Sequence, residues 1–521
     1  MTCWCKGNCP YIAAPRDLLA KGNAGRAHFA LRNILTNAPL CVEANLAMAG
    51  VLCRGNKAYA AVAHIDRAAV NGDPARILQE RAQVLRSAMR LDESIKAFAE
   101  AQKAAPDNPQ IAAGFVNALE VAGHLKEARE LVMAARAQFP ADTALRTLHA
   151  VILDGLGDAA AAADLLEPNT TTPMDLTPIE WLDRGRYLEK MRCYSEAWDS
   201  WMMGKAIFRD KFHHRYDAPR FAAQAARLAK AAEAPRPNFV RRAPLLEHDP
   251  APVFICGFPR SGTTLLETIL SSHSAIVAGD ELSGISDVID MLPSWLKVRV
   301  PYPDAMLASS LGENSNIPSL LRDFYLREAR ERIGAGFAAK GGRHRSRHKR
   351  VTFFTDKMPL NEIHLPLIRM LFPTAPVFRM QRHPLDVMVS CMSNWLVHGG
   401  FYASSLEACA THYKAVDDLA QHYKKVFAVQ DRMSIADVRY GSLVNHQEAE
   451  TVDILKWLHL ELQPACLAFH KNKRRARTLS YRQVQKPINA AGVGRWKHFR
   501  DQLAPAVEIL KPILEREGYE Y

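Results

Sequence analysis

Residues 253–270 read VFICGFPRSGTTLLETIL. Within them a short apolar run leads into a turn bounded by Gly257 and Gly262, and an amphipathic pattern opens at Thr263 and Thr264. Strand, turn and helix in that order place backbone N–H groups and the positive end of a helix around an anion. The spacing of the two glycines matches the front half of a nucleotide-binding P-loop, yet Thr263 stands where a nucleoside triphosphatase carries its lysine. The stretch therefore predicts an anion site that does not answer a γ-phosphate with lysine and magnesium.

A terminal sulfuryl group carries less charge than a γ-phosphate. Arg260, the loop amides and the hydroxyls of Ser261, Thr263 and Thr264 suffice to hold one without a metal. Working outward, residues 377–396 (VFRMQRHPLDVMVSCMSNWL) repeat the order of strand, turn and helix, with Arg382 at the strand end and Ser390 two helical turns further on. Residues 275–282 (AIVAGDEL) bring Asp280 and Glu281 to the end of a strand-like run, and residues 352–361 (TFFTDKMPLN) do the same for Asp356 and Lys357.

The segment GFPRSGTTL resembles the 5′-phosphosulfate loop of the sulfotransferases, particularly the tyrosylprotein sulfotransferases and bacterial repeat-containing relatives. The resemblance covers most of residues 251–500. It implies a P-loop α/β domain with a central parallel sheet and 3′-phosphoadenosine 5′-phosphosulfate as donor. It implies that Arg382 and Ser390 bind the 3′-phosphate, while Asn394 stands where the tyrosylprotein enzymes carry another basic residue. Asp437–Tyr440 (DVRY) resembles the strand whose tyrosine approaches the nucleotide, and residues 478–499 resemble the loop that closes over it, with Ser480, Lys486 and Asn489 at matching places. The Lys486–Pro487 pair fixes an extended backbone that can aim an ammonium at phosphate.

Transfer to a hydroxyl needs a base for the acceptor proton and a cation for the leaving oxygen. The resemblance places the base at Glu281 and the cation at Lys357; His273 is the competing base, since other sulfotransferases use histidine. Plainer readings stand beside these: Arg382 pairing with Asp386, Lys357 pairing with Asp356, and Asp280 with Glu281 as a structural pair.

The first two hundred residues carry a repeat. Gly22, Gly55, Gly123 and Gly157 each precede a small residue by five positions, namely Ala27, Ala60, Ala128 and Ala162. Gly55, Gly123 and Gly157 fit a 34-residue frame in which Met89 and Ser94 fill the slots between Gly55 and Gly123, and Pro106 and Pro140 keep the same period. Helix, turn and helix per unit, stacked to bury faces that one unit cannot bury alone, resembles tetratricopeptide repeats, with Trp181, Gly185, Ala197 and Trp201 as a further copy. The expected organisation is an all-α solenoid of five or six repeats over 8–210, a connector over 211–250 and a sulfotransferase domain over 251–521. The solenoid is expected either to dock a peptide or protein acceptor or to brace the second domain.

A net charge of +12 among 521 residues and a pI near 9.2 favour an anionic partner without choosing one. The densest basic run, 340–350 (KGGRHRSRHKR), holds no aromatic residue, so a nucleic-acid platform is not indicated. No apolar run reaches the roughly eighteen residues of a membrane span and the N-terminus shows no basic-then-apolar leader, so a cytoplasmic protein is expected. Cys3, Cys5 and Cys9 lack the paired spacing of zinc sites, and no metal is assigned. The rival readings are a repeat scaffold with a degenerate nucleotide-binding domain and a kinase-like NTPase, the latter opposed by the missing lysine.

Overall fold

The computed structural model describes residues 9–20, 24–54, 57–168, 176–211, 213, 215–233, 250–308, 316–340, 351–396, 400–430, 435–472 and 487–521. The chain divides into two compact units, Met1–Ala197 and Trp198–Tyr521, and the division falls inside the helix Tyr194–Lys211.

The first unit is a succession of antiparallel helix pairs. Val42–Arg54 packs on Ala58–Ala68, Pro74–Ser87 on Leu91–Ala104, Pro109–Ala122 on Leu125–Gln138, and Thr143–Gly155 on Ala159–Leu165. The punctuation recurs with the repeat. Asp73, Asn108, Asp142 and Thr177 each cap a first helix through a side-chain oxygen, and a proline follows at 74, 109 and 178, where its missing N–H costs nothing. At the turn after the first helix, Met89, Gly123, Gly157 and Arg192 all take positive φ, at 60°, 85°, 97° and 65°. Met89 and Arg192 hold a conformation that ordinarily favours glycine, at about 1–2 kcal/mol each.

Small residues sit where the paired helices touch: Ala27, Ala128, Ala162 and Ala197 are fully buried. In the helix Ala58–Ala68 the register differs from the sequence expectation by one, since Ala61 is fully buried and Ala60 only half-buried. In the frame of Met89, the buried Ser94 satisfies its hydroxyl by donating to the Ala82 carbonyl at 2.8 Å.

The second unit is built on a five-stranded parallel sheet of β1 (Ala251–Cys256), β2 (Ile276–Ala278), β3 (Phe353–Lys357), β4 (Val377–Gln381) and β5 (Ile435–Arg439), in the order β2-β3-β1-β4-β5. The continuous apolar run of β1 suits a central strand covered on both faces. Val253 and Ile255 pack with Leu266, Ile269 and Phe378 on one side, while Phe254 and Cys256 pack with Phe354, Tyr325 and Phe372 on the other. Residues 211–250, expected as a connector, include the helix Ala218–Glu233, whose Leu228 and Ala232 are buried in this second core. Parallel pairing sets Ile255 level with Lys357 and Phe378. The loops after β1, β3 and β4 therefore open side by side at the C-terminal edge of the sheet, where ligands of α/β folds bind.

Candidate active site

The loop after β1 is shaped by close approaches. Gly257 has φ 137°, and a Cβ there would lie 2.5 Å from the Met380 carbonyl oxygen; Gly262 has φ 105°, and its Cβ would lie 2.5 Å from the Tyr440 ring. Between them Arg260 also takes a positive φ, 74°. The helix Thr263–Ser271 starts at Gly262 without a side-chain cap, and its positive N-terminal end faces this loop, as an anion site requires. Ser261 is buried and its Oγ has no partner among the described residues; Thr263 and Thr264 are buried beside it.

The second strand–turn–helix joins this loop directly. Arg260 Nε donates to Ser390 Oγ at 3.0 Å, and Arg382 donates through one NH2 group to the Arg260 carbonyl at 3.0 Å and through the other to the Gly492 carbonyl. The Arg382 guanidinium lies 4.9 Å over the Tyr440 ring, and its Nε is buried without a partner among the described residues. Burial pulls the Arg382 pKa down, and Asp386 and Tyr440 oppose that. The expected alternative, Arg382 bonded to Asp386, is not what forms. The two Asp386 oxygens accept the N–H groups of Gly494 and Trp496, both at 2.9 Å, so this carboxylate ties down the C-terminal loop instead. Orphaned donors at Ser261 and Arg382 and an open helix N-terminus fit a donor with two separated anionic groups.

Glu281 and Lys357 meet at the sheet edge. Lys357 Nζ donates to Glu281 Oε1 at 2.6 Å; the lysine is fully buried, and the carboxylate is 32% exposed. The turn that aims Glu281 is held from below. The Asp280 N–H donates to Glu267 at 3.0 Å, Thr355 Oγ1 donates to the same carboxylate oxygen at 2.7 Å, and the Asp280 carbonyl accepts the Lys357 N–H at 2.9 Å. Asp280 takes φ 59° to allow this. The alternative pairing of Lys357 with Asp356 fails because successive strand residues face opposite ways. Asp356 instead accepts from the Tyr325 hydroxyl at 2.7 Å in the opposite core, where burial pushes its carboxyl up to about 7.

Both ring nitrogens of His273 meet backbone groups. One ring nitrogen contacts the Glu461 carbonyl at 3.1 Å and the other accepts the Ala275 N–H at 3.0 Å, in a site that is 4% exposed. The imidazole braces the end of the loop helix.

Tyr440 reaches the site, with its ring against Gly262 and beneath Arg382. Asn489 does not join these contacts: it is exposed and closes its own turn, bonding the Pro487 carbonyl and the Ala491 N–H. Ser480 and Lys486 lie outside the described residues, as do Cys3, Cys5 and residues 341–350 of the basic run. Among the described residues no cluster of potential ligands could hold a metal, and no helix is long and apolar enough to cross a membrane. Sequence reasoning missed Glu267, although an acidic residue inside the apolar pattern of the loop helix was the available signal.

Known proteins similar to this chain match both of its parts. Residues 252–464 match the sulfotransferase family profile, and residues 85–152 match a tetratricopeptide repeat. An uncharacterized protein of Aquifex aeolicus is 25% identical over 84% of the chain and 54% of its own length, and protein-tyrosine sulfotransferase A of Caenorhabditis elegans is 23% identical over 51% of the chain and 67% of its own. The chain thus spans about half the length of the first of these relatives. The sulfotransferase domain of the Synechococcus PCC 7002 olefin synthase aligns over 53% of the chain and 97% of its own at 18% identity, with a TM-score of 0.32 too low to argue from. Residues 252–464 are thus similar to the sulfotransferase family, and a match to a tetratricopeptide repeat over residues 85–152 precedes them in the same chain.

Proposed function

We propose that the chain is a sulfotransferase that moves the sulfuryl group of 3′-phosphoadenosine 5′-phosphosulfate to an acceptor hydroxyl without a metal. The observation that carries this reading is the Arg260 bridge: one residue of the phosphate loop contacts both Ser390 and Arg382, so two anion sites share one edge of the sheet. In this reading Ser261, Thr263, Thr264 and the amide of Gly262 cradle the 5′-phosphosulfate, Arg382 and Ser390 take the 3′-phosphate, and Tyr440 backs the nucleotide. Ser480, Lys486 and Asn489 are assigned to the closing loop on resemblance alone.

The donor supplies an activated sulfuryl group when bound. Glu281 takes the proton of the acceptor hydroxyl as the new S–O bond forms, and Lys357 hydrogen-bonds the phosphate oxygen whose bond to sulfur breaks. Arg260 stabilises the charge gathering on the transferred group. Their mutual pairing keeps Glu281 and Lys357 aimed at one point, which favours an active centre over a scaffold with a degenerate domain.

The protein-tyrosine sulfotransferase relative suggests a tyrosine or another macromolecular hydroxyl as acceptor, and the repeats offer a docking surface for it. The test is transfer from labelled donor to protein, sugar and phenol acceptors in the presence of chelator. Label on one acceptor class under chelation supports the reading; activity that only magnesium restores overturns the metal-free mechanism, and no transfer to any class overturns the enzyme.

A further inference from the structure

Ser390 sits in the last turn of the helix Pro384–Met392. That position is a poor one for holding an anion, because the unpaired carbonyls at a helix C-terminus carry partial negative charge. The structure supplies a correction from an unexpected part of the chain. Lys205, on the helix Tyr194–Lys211, is 3% exposed and donates to the Cys391 carbonyl at 2.9 Å and to the Asn394 carbonyl at 2.8 Å. Among the described residues it forms no ion pair with a carboxylate. Its helix is fixed there by Trp201, which packs on Phe499, and by Phe208, which stacks on Trp395.

A buried ammonium without a counter-charge is costly, and is kept where something else answers it. Among the described residues, arginines gather around this helix end. Arg260 bonds Ser390 itself, Arg382 bonds Arg260, and Arg495 donates to Ser393 at 3.1 Å and lies 5.5 Å over Trp201. The nearby carboxylate, Asp386, is taken up by the Gly494 and Trp496 amides. We propose that Lys205 is a positioning residue of the second anion site, neutralising the C-terminal carbonyls behind Ser390 so that the site accepts a dianionic phosphate monoester. The proposal rests on the donor reading above and adds a residue that no motif contains.

Burial lowers the Lys205 pKa to about 8. The ionisable groups facing it are the thiols of Cys391 and Cys409, and Cys391 is held down by a hydrogen bond from Cys409 and then by Lys205, Arg260 and Arg382. Below about pH 8 the ammonium is charged and the site is complete; above it the charge is lost. Affinity for a phosphate monoester should therefore fall as pH rises, and binding near pH 8–9 should take up a proton, because the bound anion favours the charged lysine.

The experiment is calorimetry of the full chain with adenosine 3′,5′-bisphosphate from pH 7.5 to 9.5, in buffers of differing ionisation enthalpy. The expected result is wild-type affinity that declines across the range with proton uptake, a loss of about tenfold or more in Lys205→Met at pH 7.5, and near-normal, pH-independent affinity in Lys205→Arg. Equal binding by Lys205→Met, or a Lys205→Arg profile that falls as the wild type does, overturns the proposal. If Lys205→Met does not fold, the comparison of Lys205→Arg with wild type decides alone. A wild-type chain that does not bind the bisphosphate overturns the donor reading and this proposal together; a binding wild type with indifferent variants overturns this proposal only.

Discussion

Lys357 and Glu281, 76 residues apart in sequence, are joined by a 2.6 Å hydrogen bond at the edge of the sheet. Neither side chain could adopt this pose unaided. Lys357 is buried at the end of β3, and the left-handed Asp280 turns the chain so that Glu281 faces it.

That geometry gives the first prediction. Glu281→Gln keeps the size and hydrogen-bonding reach of the side chain but removes the base, so turnover should fall by about two to four orders of magnitude. Calorimetry should find bisphosphate affinity unchanged. His273→Ala should act on stability, since the buried Ala275 N–H and the Glu461 carbonyl lose their partner; thermal denaturation should show the loss, while turnover of the folded fraction stays near that of the parent. Turnover that survives in Glu281→Gln and vanishes in folded His273→Ala would reverse the assignment.

The Arg382 guanidinium touches the Arg260 carbonyl, the Gly492 carbonyl and the Tyr440 ring. Arg382→Ala should weaken adenosine 3′,5′-bisphosphate binding by roughly 1.5–3 kcal/mol, the loss of a charge-assisted contact. The parent should bind this ligand far better than ATP with magnesium, and a reversed order in competition would contradict two separated anion sites.

Asp356 carries a pH prediction with a definite sign. Burial raises its carboxyl to about 7, against roughly 3.9 in an unfolded chain. The folded chain therefore keeps a proton that the unfolded chain has released, and this group's contribution to stability is full below about pH 4 and lost as pH rises to 7. Asp356→Asn keeps an acceptor for Tyr325 and has nothing to ionise. Its melting temperature should rise relative to the parent between pH 4.5 and 8, and parallel pH profiles for the two proteins would refute the assignment.

Much of the site was legible because its parts are local. Gly257, Arg260, Ser261 and Gly262 lie within six residues, and strand–turn–helix order alone puts their backbone around an anion. Arg382 and Ser390 were singled out by resemblance, and the structure brings both onto Arg260. The plainer alternative, Arg382 paired with its sequence neighbour Asp386, does not form, because the helix turns that carboxylate toward Gly494 and Trp496, more than a hundred residues away.

Lys205 shows where local reading ends. In sequence it stands in a helix that continues the repeat pattern of Trp181, Gly185 and Ala197, and nothing near it marks a ligand site. By itself the sequence determined the helical repeats, whose period, caps and turn positions are set by neighbours a few residues apart, and the phosphate loop, whose glycines are demanded by backbone geometry. The tertiary structure decided what depends on distant approach: which carboxylate meets Lys357, that His273 is spent on backbone groups, and that Lys205 closes the helix end behind Ser390. Those choices rest on the order of the strands and the burial of charge, and both exist only once the sheet has formed.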